Sequence, residues 1–237
     1  VYYNRKYHLF AQHNPDEPVW GPMHWSHAVS DDLISWEDLP IALFPDEKGF
    51  IFSGSAVSDI QNMSGFSKNG ESLLIAMFTY HGDKESQSIA YSLDGINFIK
   101  YEGNPVIENP GLTDFRDPKL FWNPVKNTWS MVLAATDRVY FYETYNFTKW
   151  KKTGEFGPNG NHASWVWECP DMIPLNYGGI TIWMLIVSMT TTEEDGRVNT
   201  QYFLGDFDGD TFKCTYPFGR MEKVDDGWDN YAGVTFN

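Results

Sequence analysis

The sequence is poor in cysteine and in basic residues. Its two cysteines, Cys169 and Cys214, do not make a disulfide framework, and they form no metal-binding C-x-x-C pair. Lys and Arg together number 17 against 32 Asp and Glu, which gives a formal net charge of −15. A nucleic-acid partner requires a positive face, and anionic lipid attracts basic segments, so this charge disfavours both kinds of partner.

Long hydrophobic runs and sustained helical periods are also missing. The longest hydrophobic stretch, residues 180–187, is far shorter than the roughly 20 residues that cross a bilayer, so we expect no membrane span. Hydrophobic residues nevertheless make up 42% of the chain and aromatic residues 17%, enough for a packed core. No linker-like or low-complexity segment interrupts the sequence, so residues 1–237 are predicted to form one domain.

The segments that are present have the composition of β-strands. They are short, rich in β-branched and aromatic residues and bounded by Gly, Asn, Asp or Pro, as in residues 6–11, 72–80, 128–134 and 180–188. The sequence therefore predicts an all-β fold.

A repeated turn indicates how these strands are arranged. Four stretches share a small polar turn followed by an aromatic residue, and these aromatic residues lie 52 to 62 positions apart: Trp36, Phe98, Trp150 and Phe212. Units of roughly 50 residues with four strands are typical of β-propeller blades. The chain holds about four such units and is expected to be an incomplete propeller, the alternative being a β-sandwich with unrelated aromatic hairpins.

Two acidic residues occupy corresponding places in successive units. Asp117 and Glu168 each precede the second strand of a unit, where the strands of a propeller converge on a central channel. Phe52 and Ser53 fall in the matching place of an earlier unit. A pair of carboxyl groups in an aromatic pocket suits cleavage of a glycosidic bond. The alternative for either residue is a solvated surface charge, since acidic residues are mostly exposed.

Several motifs together resemble glycoside hydrolase family 32, the invertases, inulinases and levanases. They are Phe-Arg-Asp-Pro-Lys at 115–119, Trp-Glu-Cys-Pro at 167–170, Phe-Ser-Gly-Ser at 52–55, and residues 7–15 followed by 20–25. The resemblance runs from residue 1 to 237. It implies a five-bladed β-propeller that hydrolyses terminal β-D-fructofuranosides, such as sucrose and short fructans, with retention of configuration.

The resemblance also implies roles for individual residues. Glu168 would be the general acid and base, and Asp117 the transition-state stabiliser. The fructose site would be lined by Gln12, Trp20, Phe52, Ser53 and Arg116 and closed by Trp228 or Tyr231. Cys169 would lie behind Glu168 and tune its acidity. No cofactor or metal is expected, and the H-x-x-H pair His24 and His27 would point to opposite faces of a strand.

One motif of the family is not in the sequence. The nucleophile of the family is the Asp of an N-D-P-N-G segment, whose expected place lies just upstream of Val1. The chain is accordingly expected to be a catalytic-domain fragment that lacks this nucleophile and the usual C-terminal β-sandwich, and to be inactive as it stands. A sugar-binding propeller without catalysis and a five-bladed hydrolase of arabinan or xylan remain as alternatives. The family's habits favour a secreted protein, with a cytoplasmic one as the alternative.

Overall fold

The computed structural model describes residues 1–191, 197–227 and 229–236, and within these residues every regular element is a β-strand. None of the described elements is a helix of the length and apolarity that crossing a bilayer requires. The strands are β1 (Tyr2–Tyr3), β2 (Lys6–His13), β3 (His24–Ser30), β4 (Glu37–Leu43), β5 (Phe50–Asp59), β6 (Leu73–His81), β7 (Ser86–Ser92), β8 (Ile99–Lys100), β9 (Phe115–Asn123), β10 (Thr128–Ala135), β11 (Arg138–Thr144), β12 (Lys151–Phe156), β13 (Trp165–Tyr177), β14 (Ile180–Thr191), β15 (Val198–Phe207), β16 (Phe212–Cys214) and β17 (Glu222–Lys223).

These strands form four antiparallel sheets in chain order. The sheets are β1–β4, β5–β8, β9–β12 and β13–β16, and β17 adds to the last of them by pairing with β15. Each sheet is a simple meander, which is the topology of a propeller blade. The prediction of an all-β fold made of four-stranded blades is therefore confirmed.

The chain divides into two compact units. The first contains Val1–Pro110, Tyr145–Trp150 and Phe236, and it holds the sheets β1–β4 and β5–β8. The second contains Gly111–Thr144 and Lys151–Thr235, with the other two sheets. Each unit has its own apolar core. Fully buried side chains include Ile51 and Phe78 in the first and Trp167 and Phe203 in the second.

The repeated turns join the third and fourth strands of the sheets. In each turn the side-chain oxygen of an Asp or Asn accepts hydrogen bonds of 2.7–3.2 Å from the backbone N–H groups two and three residues later; these residues are Asp32, Asp94, Asn146 and Asp208. Side chains of this kind stabilise turns by standing in for a backbone acceptor. The aromatic residue follows four positions later, at the start of the fourth strand or just before it.

The first strands of three sheets carry the same irregularity. In β5, β9 and β13 two residues lie opposite one residue of the next strand: Phe52 and Ser53 opposite Thr79, Asp117 and Pro118 opposite Leu133, and Cys169 and Pro170 opposite Val187. Such β-bulges break the alternation of side chains and redirect them, and they are common beside active sites. Asp117 and Cys169 adopt left-handed backbone conformations, with φ of 64° and 46°.

Candidate active site

The bulges of β9 and β13 bring acidic residues together in the second unit. The backbone N–H of Cys169 donates a hydrogen bond of 2.8 Å to Oδ2 of Asp117, and the Cys169 thiol lies 3.5 Å from the same oxygen. Glu168 directly precedes Cys169 on β13, and Arg116 directly precedes Asp117 on β9. The two carboxyl-bearing segments are therefore tied to each other through residues 117 and 169.

The carboxyl group of Glu168 is surrounded by four donors. Arg116 donates from Nε and Nη2 to Oε1 at 3.1 and 3.0 Å, while Oε2 accepts from the hydroxyl groups of Tyr231 at 2.6 Å and Thr190 at 3.1 Å. The third guanidinium nitrogen of Arg116, Nη1, lies 2.8 Å from Oδ1 of Asp114. Because both oxygens of Glu168 are held, the orientation of its carboxyl group is fixed by residues of β9, β14 and the C-terminal segment.

Burial dominates the electrostatics of this cluster. Asp117 is only 7% exposed, and this burial raises the pKa of its carboxyl group to about 6, with a further rise from the charge of Glu168. The hydrogen bond from Cys169 and the charge of Arg116 act in the opposite direction. Burial, together with the nearby carboxylates, also raises the pKa of the Cys169 thiol, so this thiol is neutral.

A second group of predicted residues lies in the first unit. The amide of Gln12 donates a hydrogen bond of 2.6 Å to the Ser53 hydroxyl. Phe52 stacks on His81 with ring centroids 4.1 Å apart and nearly parallel planes, and Trp20 meets both rings edge to face. Trp20 remains 63% exposed. This group combines an accessible aromatic surface with polar side chains.

Sequence reasoning located some of these residues and missed others. Gln12 and Ser53 contact each other, as do Trp20 and Phe52, and the segments of Asp117 and Glu168 meet; Trp228 lies outside the described residues. Arg116, assigned to fructose by the resemblance, contacts Glu168 and Asp114. The missed residues are Asp114, Thr190 and His81. No motif marks Thr190 or His81, because their contacts with Glu168 and with Phe52 and Trp20 depend on residues distant in the sequence. Asp114 lies only two positions before Arg116 but carries no signal of its own.

Comparison with known proteins identifies the family. Residues 1–237 match the family described as "Glycosyl hydrolases family 32 N-terminal domain". The chain therefore belongs to glycoside hydrolase family 32, as its motifs predicted.

Three relatives show the extent of the likeness. The chain is 49% identical over its full length to a levanase of Bacillus subtilis, of which it covers 36%. It is similar to the crystal structure of an exo-inulinase from Aspergillus awamori, with a TM-score of 0.87 and 37% identity over 98% of this chain and 52% of that one. A β-fructofuranosidase from Schwanniomyces occidentalis complexed with fructosyl-erythritol gives a TM-score of 0.86 at 35% identity over 96% of this chain and 46% of the other. The chain thus spans between about a third and a half of the length of these relatives.

Proposed function

We propose that the full-length protein hydrolyses terminal β-D-fructofuranosyl residues of sucrose and short fructans with retention of configuration. The observation that carries the proposal is the hydrogen bond from Cys169 to Asp117, which places the segment of Glu168 beside a second carboxyl group. The levanase, exo-inulinase and β-fructofuranosidase relatives support a fructoside substrate. The proposed architecture is the five-bladed propeller implied by the family.

Glu168 is proposed as the general acid and then the general base. In the first step its proton passes to the glycosidic oxygen as the bond to the fructosyl carbon breaks, and a nucleophilic carboxylate forms an ester with that carbon. In the second step Glu168 takes a proton from water, the water oxygen bonds to the fructosyl carbon, and the ester bond breaks to release the nucleophilic carboxylate and fructose. We assign the nucleophile to the Asp of an N-D-P-N-G segment upstream of Val1, as the family resemblance implies.

Asp117 is proposed to stabilise the transition state through hydrogen bonds with fructose hydroxyl groups. Such bonds are strongest with an ionised, buried acceptor, since a low local dielectric strengthens them. The hydrogen bond from Cys169 fixes Oδ2 of Asp117 before substrate arrives. Preorganised groups of this kind lower the activation barrier because they do not reorganise during the reaction.

The residues of the first unit are proposed to contact sugar. The Trp20 ring offers an exposed apolar face for sugar C–H groups, and its contacts with Phe52 and His81 limit its rotation. Gln12 and Ser53 supply donors and acceptors for hydroxyl groups. A contact of Trp228 with sugar, and an extracellular location like that named for the exo-inulinase relatives, remain part of the proposal.

The test is fructose release by the full-length protein from sucrose, inulin and levan, with Glu168→Gln and Asp117→Asn as variants. Both variants should lose at least about a hundredfold in kcat, the usual range for a missing acid or preorganised group. With β-D-fructofuranosyl fluoride, whose leaving group requires no proton, Glu168→Gln should recover much of the first step while Asp117→Asn should not. Full activity of Glu168→Gln on sucrose would contradict the assignment.

Three further measurements separate the alternatives. NMR of the first product formed should give the β-anomer of fructose, and the α-anomer would contradict retention. Calorimetric binding of fructose by wild-type protein without any turnover would favour a sugar-binding propeller. Release of pentose from arabinan or xylan with sucrose untouched would favour the third candidate.

A further inference from the structure

The second unit contains a buried ion pair that the proposed chemistry does not use. Nζ of Lys119 on β9 lies 3.1 Å from Oδ2 of Asp171 on β13, and both side chains are buried. The two residues occupy the same place in their strands, directly after the bulges at 117–118 and 169–170. In β5 the corresponding residue is Gly54. Burying two charges is costly unless each is fully hydrogen-bonded, so this pair requires further polar partners.

The pair is completed by Thr235. Oδ2 of Asp171 accepts hydrogen bonds from the backbone N–H and the hydroxyl group of Thr235 at 2.7 and 2.8 Å, and Nζ of Lys119 donates to the Thr235 carbonyl oxygen at 2.7 Å. Thr235 ends a segment, residues 230–235, that forms no strand in the structure described. We call this segment the strap. Its end is therefore attached to both β9 and β13 through one ion pair.

The strap contains Tyr231, whose hydroxyl group contacts Glu168. The Tyr231 hydroxyl donates to Oε2 of Glu168 at 2.6 Å, and the adjacent Ala232 has a φ of 57°, a conformation that L-residues rarely adopt. Backbone of this kind persists only when surrounding contacts hold it. Two such contacts are the bonds from the Thr200 hydroxyl to the Asn230 carbonyl oxygen and from the Ala232 N–H to the Ser188 hydroxyl, each 2.9 Å.

We propose that Lys119 and Asp171 are positioning residues that hold Tyr231 against the catalytic carboxyl group of Glu168. This inference rests on the proposed function. Both groups that Arg116 directs at Oε1 of Glu168 are hydrogen-bond donors. A guanidinium group has no acceptor, so it cannot accept a hydrogen bond from a proton on Oε1. The proton that Glu168 transfers is therefore carried on Oε2, where hydroxyl groups can accept as well as donate. The position of Tyr231 then governs how that proton is held and released.

The test is a double-mutant cycle in the full-length protein. Lys119→Met with Asp171→Asn removes both charges together, which avoids an unpaired buried charge, and leaves an amide oxygen for Thr235. We expect kcat on sucrose to fall about tenfold with KM changed less than about twofold, as is typical for loss of a bond made to a charged group. Tyr231→Phe should give a similar loss, and the triple variant should be no worse than Tyr231→Phe alone.

The proposal would be overturned if the loss of kcat in the triple variant equalled the product of the losses in the pair variant and in Tyr231→Phe. It would also be overturned if the pair variant kept wild-type kcat, which would indicate a purely structural role for the pair. Lys126→Met is the matched control, since Lys126 pairs with Glu143 elsewhere in the same unit and should keep wild-type kcat.

If the pair variant does not fold, Thr235→Val and Thr235→Ser replace it. The valine variant loses the hydroxyl bond to Asp171 and should lower kcat, while the serine variant should restore it; equal kcat in both would overturn the proposal. Wild-type protein that releases no fructose would instead contradict the proposed function.

Discussion

The backbone N–H of Cys169 donates to the carboxyl group of Asp117 across 2.8 Å, although the two residues are 52 positions apart. Each belongs to the bulge of its own strand and adopts a left-handed backbone conformation. Bulges therefore do more here than bend β9 and β13. They turn one N–H group and one carboxyl group out of the ladder so that the two strands can bond to each other at the site.

The buried carboxyl group of Asp117 should contribute less to stability at neutral than at acid pH. Its folded pKa of about 6 lies above the ordinary value of 3.8, so the folded state binds the proton more tightly and stability falls as the pH rises from about 4 to 6. Asp117→Asn removes this effect. The Tm of the variant minus that of wild type should increase by about 3 °C or more between pH 4 and pH 7.

Asp94→Asn is the control for that measurement. The turn donors around Asp94 lower the pKa of its carboxyl group in the folded state from the ordinary value of 3.8, so the group is largely ionised in both states above pH 5 and the Tm difference should be nearly constant from pH 5 to 7. A Tm difference for Asp117→Asn that is equally constant would show that the carboxyl group is not the cause.

A buried histidine pair should make the first unit sensitive to acid. Nδ1 of His8 lies 2.9 Å from Nε2 of His27, whose Nδ1 has no hydrogen-bond partner among the residues described. Burial and the neighbouring His8 lower the pKa of His27 from 6.5 to about 4. Because the unfolded chain takes up a proton first, stability is lost as the pH falls from about 6.5 to 4. His27→Gln should be less acid-sensitive than wild type in thermal unfolding.

For this experiment His13→Gln, at an exposed position on β2, controls for the loss of a histidine. The Tm difference between His27→Gln and wild type should shift in favour of the variant by about 3 °C or more from pH 7 to pH 4. No shift, or a shift of the opposite sign, would show that His27 is not protonated on unfolding in this range.

Gly54 should tolerate no side chain. A Cβ at this position would lie 1.9 Å from the Met77 carbonyl oxygen on the neighbouring strand, so β5 or β6 would have to move. Gly54→Ala should lower the free energy of unfolding in urea by at least about 2 kcal/mol. Gly233→Ala, where a Cβ meets no atom within 4 Å, should be nearly neutral. Equal stability of the two variants would contradict the close approach of β5 and β6.

Trp20 should contribute to sugar affinity without taking part in the chemistry. Trp20→Ala in the full-length protein should raise KM for sucrose about tenfold, equivalent to the loss of one good apolar contact, with kcat changed little. Trp122→Ala is the comparison, because Trp122 is also partly exposed but packs against Trp129 in the second unit. Equal effects of the two variants on KM would contradict a sugar contact at Trp20.

Local signals in the sequence were sufficient to predict the four-stranded blades. The turns capped by residues such as Asp94 and Asp208 repeat because each hairpin requires the same acceptor at the same place, and such a requirement is visible without knowing the fold. The strands of Asp117 and Glu168 could be placed for the same reason, but the expected correspondence of the two acids was wrong by one residue, because the bulges make Cys169 the equivalent of Asp117. The contact of Tyr231 with Glu168 could not be predicted, because it spans 63 positions and depends on a segment without periodicity. The attachment of Thr235 to Lys119 spans 116.

The bulges have a consequence for how this fold could be redesigned. Because β5, β9 and β13 each hold one surplus residue opposite their neighbour, deleting Pro118 or Pro170 should restore an uninterrupted ladder in that sheet. In β9 the result would be a regular hairpin in which the Asp117 carboxyl group returns to the ordinary alternation of side chains. The sheets themselves therefore do not require the bulges. The one additional residue in each strand serves to direct side chains and backbone groups towards the site.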